Sequence, residues 1–173
     1  KTFLTFLTLQ RMFQVRRLMF RLTSENRTWF QGISKNFQTD FDMYYLCLLM
    51  GLASNHKGEA PEKGDLVRYW PEKGNYSNNS NFIIGLILFL EARSMGVDIK
   101  EKAKTTKHLN TYLDPDSFSK LSLQSGFREA NRYASGGCEI MKDNMQKPNL
   151  FGVFLKKFYE ELNKQINSNR HFS

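Results

Sequence analysis

The stretch "TDFDMYYLCLLMGLASN", residues 39 to 55, decides the fold because it has the pattern of one long apolar helix. Thr39 is placed to cap its start, and Asp40 and Asp42 fall in the first turn, where the helix dipole favours negative charge. The apolar body continues to residues 51–55. A helix that is apolar on nearly every side has to be covered by other elements, so we predict that it is the central buried helix.

Further helices are predicted on both sides of this segment. Upstream, the first 22 residues have helical spacing, with Phe20 and Leu22 extending an apolar face and arginines opposite. Ser24 is then the predicted cap of a short helix in which Trp29, Ile33 and Phe37 recur every four residues.

Downstream, "FIIGLILFLEARSMG" at 82–96 predicts a second buried helix, capped by Ser80 or Asn81 and ended by Gly96. Another helix is expected to begin at Asp98, another to carry residues 126–134, and the last to run from Asn149. Residues 167–173 are expected to fray.

Residues 56–81 contain many Gly, Pro, Asn and Ser residues, which predicts one long loop. Strand-like alternation is confined to the neighbourhood of "DLVRYW", residues 65–70, in the middle of this stretch, which includes Tyr69 and Trp70. Those aromatic residues either anchor the loop to the core or form a base-stacking platform beside Arg68. The predicted fold class is therefore mainly α, a single-domain irregular helical bundle over residues 1–173 with one long loop.

Composition limits the class of protein. The chain has 173 residues, of which 40% are hydrophobic and 14% aromatic, too many for a disordered protein. Its net charge of +8 and pI near 9.5 favour a polyanionic or acidic partner. Arginines interrupt the apolar residues 1–20, and the run at 82–90 is too short for a bilayer, so we expect neither to span a membrane. Two cysteines far apart in the sequence fit a reducing compartment, so we expect a cytoplasmic protein.

The stretch "RYASGGCEIM", residues 132–141, is where an enzyme would have to be found. Cys138 behind Gly136 and Gly137 is either a nucleophile on a glycine loop or the start of a new helix after a glycine break. None of His56, His108 and His171 is placed as its base. We predict the break, and a close approach of another backbone over the glycines is the third alternative.

No other motif indicates catalysis. The sequence contains no HExxH, no paired CxxC, no EF-hand loop and no P-loop, so we expect no metal, no cofactor and no catalytic residue. Cys47 and Cys138 are predicted to be free thiols, and Cys47 to be a small core residue.

Basic residues are the remaining candidates for function. Five arginines crowd the first two predicted helices, and "KEKAKTTKH" at 100–108 places three lysines on one helix face. Such cations bind backbone phosphates without reading sequence, or they are simply solvated. The predicted nucleic-acid-binding residues are Arg11, Arg16, Arg17, Arg21, Arg27, Lys100, Lys104 and Lys107.

The stretch "FRLTSENRTWFQGISKNFQTDFDMYYLCLLMGLA", residues 20–53, resembles the opening of small helical proteins of bacterial DNA phosphorothioation systems, the DndE family and the short proteins of that gene cluster. Arg21, Leu22, Thr23 and Asn26 match the basic segment of that family, and residues 46–53 match its apolar helix. "YASGG" at 133–137 is similar to the associated proteins.

The resemblance implies a non-enzymatic accessory of DNA modification or restriction, in anti-phage defence. We therefore expect an accessory subunit that binds DNA backbone independently of sequence and has protein partners in a multi-subunit complex. The alternative is a protein-interaction subunit without nucleic-acid contact, since the apolar face of the first helix exceeds what one domain covers. Whether the chain forms homo-oligomers stays open.

Overall fold

A computed structural model describes residues 20–62, 65–67, 76, 79–97, 101–106 and 123–170. The fold is a mainly α single-domain bundle, as predicted. The elements are β1 (Phe20–Leu22), α1 (Ser24–Trp29), a 3-10 helix (Gln31–Asn36), α2 (Asp40–Ser54), β2 (Asp65–Val67), α3 (Ser80–Ser94), α4 (Leu123–Asn144) and α5 (Phe151–Arg170).

Helix α2 is the central helix that the sequence predicts. Its Asp42 carboxylate accepts hydrogen bonds from the backbone N–H of Gln38 and of Thr39, both at 2.8 Å, which satisfies two amides at the helix start. At the other end Asn55 adopts the left-handed conformation, with φ of 50°, and ends the helix. Most of the helix between these two caps is buried.

The predicted break at Gly136 and Gly137 is wrong, because α4 continues through both glycines from Leu123 to Asn144. A Cβ on Gly137 would lie 1.9 Å from the carbonyl oxygen of Cys47, and a Cβ on Gly51 would lie 1.9 Å from the carbonyl oxygen of Tyr133. The third alternative, close approach of another backbone, is confirmed. Helices α2 and α4 cross in main-chain contact, and glycine is the residue that permits it.

The predicted helix through residues 20–22 is also wrong. These residues form β1, which pairs antiparallel with β2 so that Phe20 faces Val67 and Leu22 faces Asp65. Phe20 and Leu22 are buried while Arg21 between them is half-buried, which is the alternation of a strand. The predicted loop 56–81 therefore contains a strand, and α3 already begins at Ser80.

A polar contact holds β1 on the bundle. The side-chain oxygen of buried Asn131 accepts hydrogen bonds from the backbone N–H of Arg21 at 3.0 Å and from the Tyr44 hydroxyl at 3.1 Å. One side chain of α4 therefore joins a strand and the central helix, and its buried acceptor is satisfied on both sides.

Residues 24–37 form two short helices where one was predicted. Helix α1 is capped by Thr23, whose hydroxyl accepts from the Asn26 backbone N–H at 3.1 Å, and it ends at Trp29 before the 3-10 helix. Gly32 lets the chain between α4 and α5 approach, since a Cβ there would lie 2.4 Å from the carbonyl oxygen of Pro148.

Aromatic side chains join this region to α5. The ring of Phe30 meets that of Phe154 at 5.8 Å between centroids, and Phe37 meets Phe151 at 5.5 Å, both edge to face. Helix α5 extends to Arg170, so the predicted fraying from residue 167 is wrong for residues 167–170. The Asn169 amide donates to the carbonyl oxygen of Ala53 at 2.6 Å and fixes this end of α5 against α2.

Two further predicted elements are partly or wholly described. Gly96 follows α3 with φ of 72°, which confirms it as the residue that ends this helix. Of the helix expected from Asp98, residues 102–106 are helical, Glu101 is described but not helical, and the rest lies outside the described residues.

Candidate functional site

The predicted basic residues that the structure describes contact their own protein. Arg21 donates from its guanidinium to the carbonyl oxygens of Pro61, at 3.1 Å, and of Glu62. Arg27 forms an ion pair with Asp40 at the start of α2. Both arginines therefore hold elements of the fold together, and their charges are partly engaged within it.

Lys104 is exposed, and its Nζ lies 2.6 Å from the Glu101 carboxylate in the preceding helical turn. Such a pair in water contributes little to stability, so Lys104 is available to a ligand at small cost. The structure does not bring Arg21, Arg27 and Lys104 into one cluster by any contact among the described residues. The other five candidates, Arg11, Arg16, Arg17, Lys100 and Lys107, lie outside those residues, as do His108, Tyr69 and Trp70.

Most of the excess positive charge also lies in the segments that the structure leaves undescribed. Within the described part, acidic and basic residues nearly balance.

Sequence reasoning missed a buried ionic cluster. The Lys57 cluster consists of Lys57, Glu91, Glu129, Arg132 and Tyr133. The Nζ of Lys57 contacts the carboxylate of Glu91 and lies 2.8 Å from that of Glu129, and both carboxylates are buried. Arg132 adds a second cation 3.2 Å from Glu129.

The cluster is built by the segment after α2, the last turn of α3 and the first half of α4. The left-handed turn at Asn55 directs the chain back along α4, where the Gly58 N–H donates to the Arg132 carbonyl at 3.0 Å. This backbone contact sets Lys57 between α3 and α4. The one sequence signal was Glu91, a carboxylate that directly follows the uncharged run 82–90.

Tyr133 completes the cluster. Its hydroxyl donates to Glu91 at 3.0 Å, and the Lys57 ammonium lies 5.1 Å from the centre of its ring. Burial raises the pKa of Tyr133, and the charge and hydrogen bond of Glu91 raise it further. Every charge in the cluster has an opposite charge beside it, so its chemistry is that of a structural support for the turn after α2.

The two thiols meet at the crossing of α2 and α4. Cys47 and Cys138 are free and fully buried. Burial raises the pKa of Cys47 well above its usual value, and the neighbouring Cys138 side chain raises it further. A thiol held in this protonated form is a poor nucleophile. The prediction that Cys47 is a core residue is confirmed.

Of the three histidines, the structure describes His56, which does not serve these buried thiols. It lies at the surface, with its Nε2 3.2 Å from the Glu139 carboxylate. Among the described side chains, no group of three His, Cys, Asp or Glu residues could hold a metal ion. In the same part of the chain, no helix combines the length and apolar composition needed to cross a bilayer.

Two helices expose large apolar side chains. On α5 and just before it, Leu155 is 40% exposed, Tyr159 67% and Leu150 62%. On α3, Phe82 is 64% exposed and Phe89 42%, although this helix was predicted to be buried. Ile83 and Ile87 on its other side are buried, so the prediction is right for one side of α3 only. Exposed apolar side chains grouped in this way are typical of interaction surfaces.

Comparison of the chain with protein-family models, with curated proteins and with solved structures finds no match.

Proposed function

We propose that the protein is a non-enzymatic subunit that joins a larger assembly by binding a helix of a partner protein along α5. The observation that carries this proposal is an apolar stripe along α5, whose residues Leu155 and Tyr159 are exposed. Its side chains lie next to the face that α5 packs against its own core through Phe154 and Phe158. Helix α5 therefore has one apolar face for the bundle and a second that is left to solvent.

The spacing of the stripe indicates what it binds. Gly152, Leu155, Tyr159, Leu162 and Ile166 follow one another at alternating intervals of three and four residues. This repeat is the seam of helices that pack side by side. Leu155 and Tyr159 are exposed in its first half, and Leu162 and Ile166 are half-buried in the second.

The charge beside the stripe indicates the partner's character. Lys156 and Glu160 both flank the seam, lie 4.0 Å apart and are exposed. A partner helix with apolar residues at the same repeat, and with an acidic residue opposite Lys156 and a basic residue opposite Glu160, complements this surface. Because the contact is mainly apolar, binding is expected to survive added salt.

A pull-down from the source cells tests the proposal. A tagged chain is compared with the double variant Leu155→Ser/Tyr159→Ser and with the control Val153→Ser. Val153 is 49% exposed on the opposite side of α5. We expect the wild type and the control to retain one protein through a high-salt wash, and the double variant to lose it while its circular dichroism is unchanged. Equal retention by the double variant would refute the proposal.

The second candidate function is an accessory subunit of a bacterial DNA modification or restriction system that binds DNA backbone. It is supported by the net charge of +8 and by the resemblance of residues 20–53 to the phosphorothioation proteins. The described cations contribute little to it, so the charges that carry this candidate are Arg11, Arg16, Arg17, Lys100 and Lys107.

Electrophoretic mobility shift of duplex DNA tests this candidate. Phosphate contacts release counterions, so affinity should fall steeply as salt rises, without preference for sequence. The variant Arg16→Gln/Arg17→Gln should bind more weakly and with a shallower salt dependence, whereas Lys157→Gln on α5 should match the wild type. Absence of a shift at low salt would exclude the candidate.

A further inference from the structure

The crossing of α2 and α4 holds the two cysteines of the chain side by side. Cys47 lies in the middle of α2 and Cys138 in the second half of α4, and both side chains are fully buried. The Cys138 side chain is a hydrogen-bond partner of the Cys47 thiol. Two sulfur atoms from distant parts of the sequence are therefore neighbours inside the core.

A disulfide needs a short distance between the main chains as well as between the sulfur atoms. The Cα atoms of a bridged pair lie about 4.4–6.8 Å apart, whereas the axes of packed helices are usually about 8–10 Å apart. At this crossing a Cβ on Gly137 would lie 1.9 Å from the carbonyl oxygen of Cys47. Ordinary bond lengths then place the Cα of Gly137, the residue before Cys138, within about 6 Å of the Cα of Cys47. The glycine crossing thus brings the two backbones into the range that a disulfide spans.

Burial decides when such a bridge can form. In the folded chain solvent does not reach either thiol, and burial raises the pKa of Cys47, so that little thiolate is present to attack an oxidant. In the unfolded chain both thiols are exposed to reagents. Oxidation is therefore expected while the chain folds, and a bridge formed at that stage is afterwards shielded from reductants by the same packing.

We propose that Cys47 and Cys138 form a disulfide when the chain folds in the presence of oxidised glutathione, and that the folded crossing then preserves this bridge. The thiolate of one cysteine attacks oxidised glutathione, which gives a mixed disulfide and releases one glutathione thiolate. The second cysteine thiolate attacks the bridged cysteine sulfur and releases the other glutathione thiolate. The two cysteines are oxidised, one oxidised glutathione is reduced to two thiols, and these two thiols take up the two cysteine protons.

The bridge adds a covalent link to the crossing and closes a loop that contains the whole of α3. Closing so long a loop restricts the unfolded chain, which stabilises the fold. The state of the two sulfur atoms then records whether the chain folded under oxidising conditions. This inference goes beyond the proposed function and does not involve α5, so a failure of the α5 stripe to bind a partner leaves it unaffected.

Refolding in glutathione buffers is the direct test. The full chain is reduced and unfolded in urea, refolded over a series of reduced to oxidised glutathione ratios, quenched with acid, and measured by intact mass and peptide mapping. We expect a monomer about 2 Da lighter in which a peptide links Cys47 to Cys138, still in the majority at about a tenfold excess of reduced glutathione. Two free thiols, glutathione adducts or cross-linked dimers at the most oxidising ratio would overturn the proposal.

A matched control moves one thiol by a single turn of α4. In Cys138→Ala/Met141→Cys the new cysteine replaces another fully buried residue of the same helix, and the loop to Cys47 is only three residues longer. The wild type should bridge far more in native buffer than in urea, whereas the control should bridge alike in both. Equal bridging of the two refolded proteins would overturn the proposal. If circular dichroism shows the control unfolded, the comparison of the wild type between native buffer and urea decides alone.

The bridged and reduced wild types are then compared directly. The bridged protein should keep the circular dichroism spectrum of the reduced one and melt about 5–15 °C higher. Reduced glutathione should open the bridge at least about tenfold more slowly in native buffer than in urea, because the packed crossing excludes the attacking thiolate. A lower Tm on bridging would show that the crossing does not accommodate the bond, and equal rates of reduction would show that it does not preserve it.

Discussion

Replacing Gly137 by alanine places a methyl group between α2 and α4 where their backbones touch. The new carbon would lie 1.9 Å from the carbonyl oxygen of Cys47 and 2.4 Å from the backbone nitrogen of Gly51. Both neighbours are main-chain atoms of a helix, so neither can rotate away. Since carbon atoms do not approach such atoms closer than about 3 Å, the helices must separate by roughly 1 Å at the crossing.

This separation sets the expected loss of stability. Overpacking usually costs about 1–3 kcal/mol, and the upper end applies because only movement of whole helices relieves it. Alanine offsets about 1 kcal/mol through its better helix propensity. We expect the free energy of unfolding to fall by about 2 kcal/mol, which lowers the Tm of a domain of this size by roughly 4–8 °C.

Thermal and urea unfolding followed by circular dichroism measure this loss. Gly51→Ala, on the other helix of the same crossing, should lower the free energy of unfolding by a similar amount. The double variant should lose less stability than the sum of the two single variants, because the first substitution has already separated the helices. Gly152→Ala is the control, with open space around its Cβ position among the described residues, and should be neutral or slightly stabilising. A Gly137→Ala protein that melts with the wild type would refute the close crossing.

Three other outcomes follow from the buried groups. Lys57→Met should lower the free energy of unfolding by about 3–5 kcal/mol in urea, because the buried Glu91 carboxylate loses its cation and the buried Glu129 carboxylate keeps only Arg132, whereas exposed Lys157→Met should change it by less than about 0.5 kcal/mol. Burial and Glu91 raise the pKa of Tyr133. The stability that protonated Tyr133 contributes is therefore present below the unfolded tyrosine pKa of about 10 and is lost as the pH rises above that value. Between about pH 9 and pH 11 the free energy of unfolding of Tyr133→Phe should therefore fall less than that of the wild type. The thiols of Cys47 and Cys138 should resist iodoacetamide until urea unfolds the chain, and rapid alkylation of the native protein, read by mass spectrometry, would contradict their burial.

Some helices could be predicted from sequence because the residues that start, fill and end them all lie within the same segment. For α2, the carboxylates at its start, its apolar body and the turn at Asn55 lie within the segment itself. The end of α3 at Gly96 was predictable for the same reason, because a glycine after a helix is a local signal.

Prediction failed where a distant segment decides the structure. Gly136 and Gly137 predict a break by propensity alone. They lie inside α4, and their missing side chains make room for the backbone of residues 56–58 at Gly136 and for that of α2 at Gly137. Residues 20–22 are a strand only because residues 65–67 pair with them. Arg27 was predicted to bind nucleic acid, but it pairs with Asp40. The sequence predicted Asp40 only as a negative charge at the start of α2 and did not indicate this ion pair.

The candidate surfaces were also predictable only where the signal lies within one segment of the sequence. The run 82–90 was recognised as apolar, but which of its sides faces the bundle depends on the packing of α4 and could not be known. The Lys57 cluster draws its members from three segments, so no single window of sequence contains its pattern.

The crossing of α2 and α4 also has a consequence for synthesis of the chain. Residues 133–137 follow the end of α2 by roughly 80 residues, which a ribosome adds in on the order of 4–16 s at about 5–20 residues per second. During those seconds the most apolar helix of the bundle has left the exit tunnel without the element that covers it. Translation that stops before α4 should therefore yield fragments that aggregate or are held by chaperones.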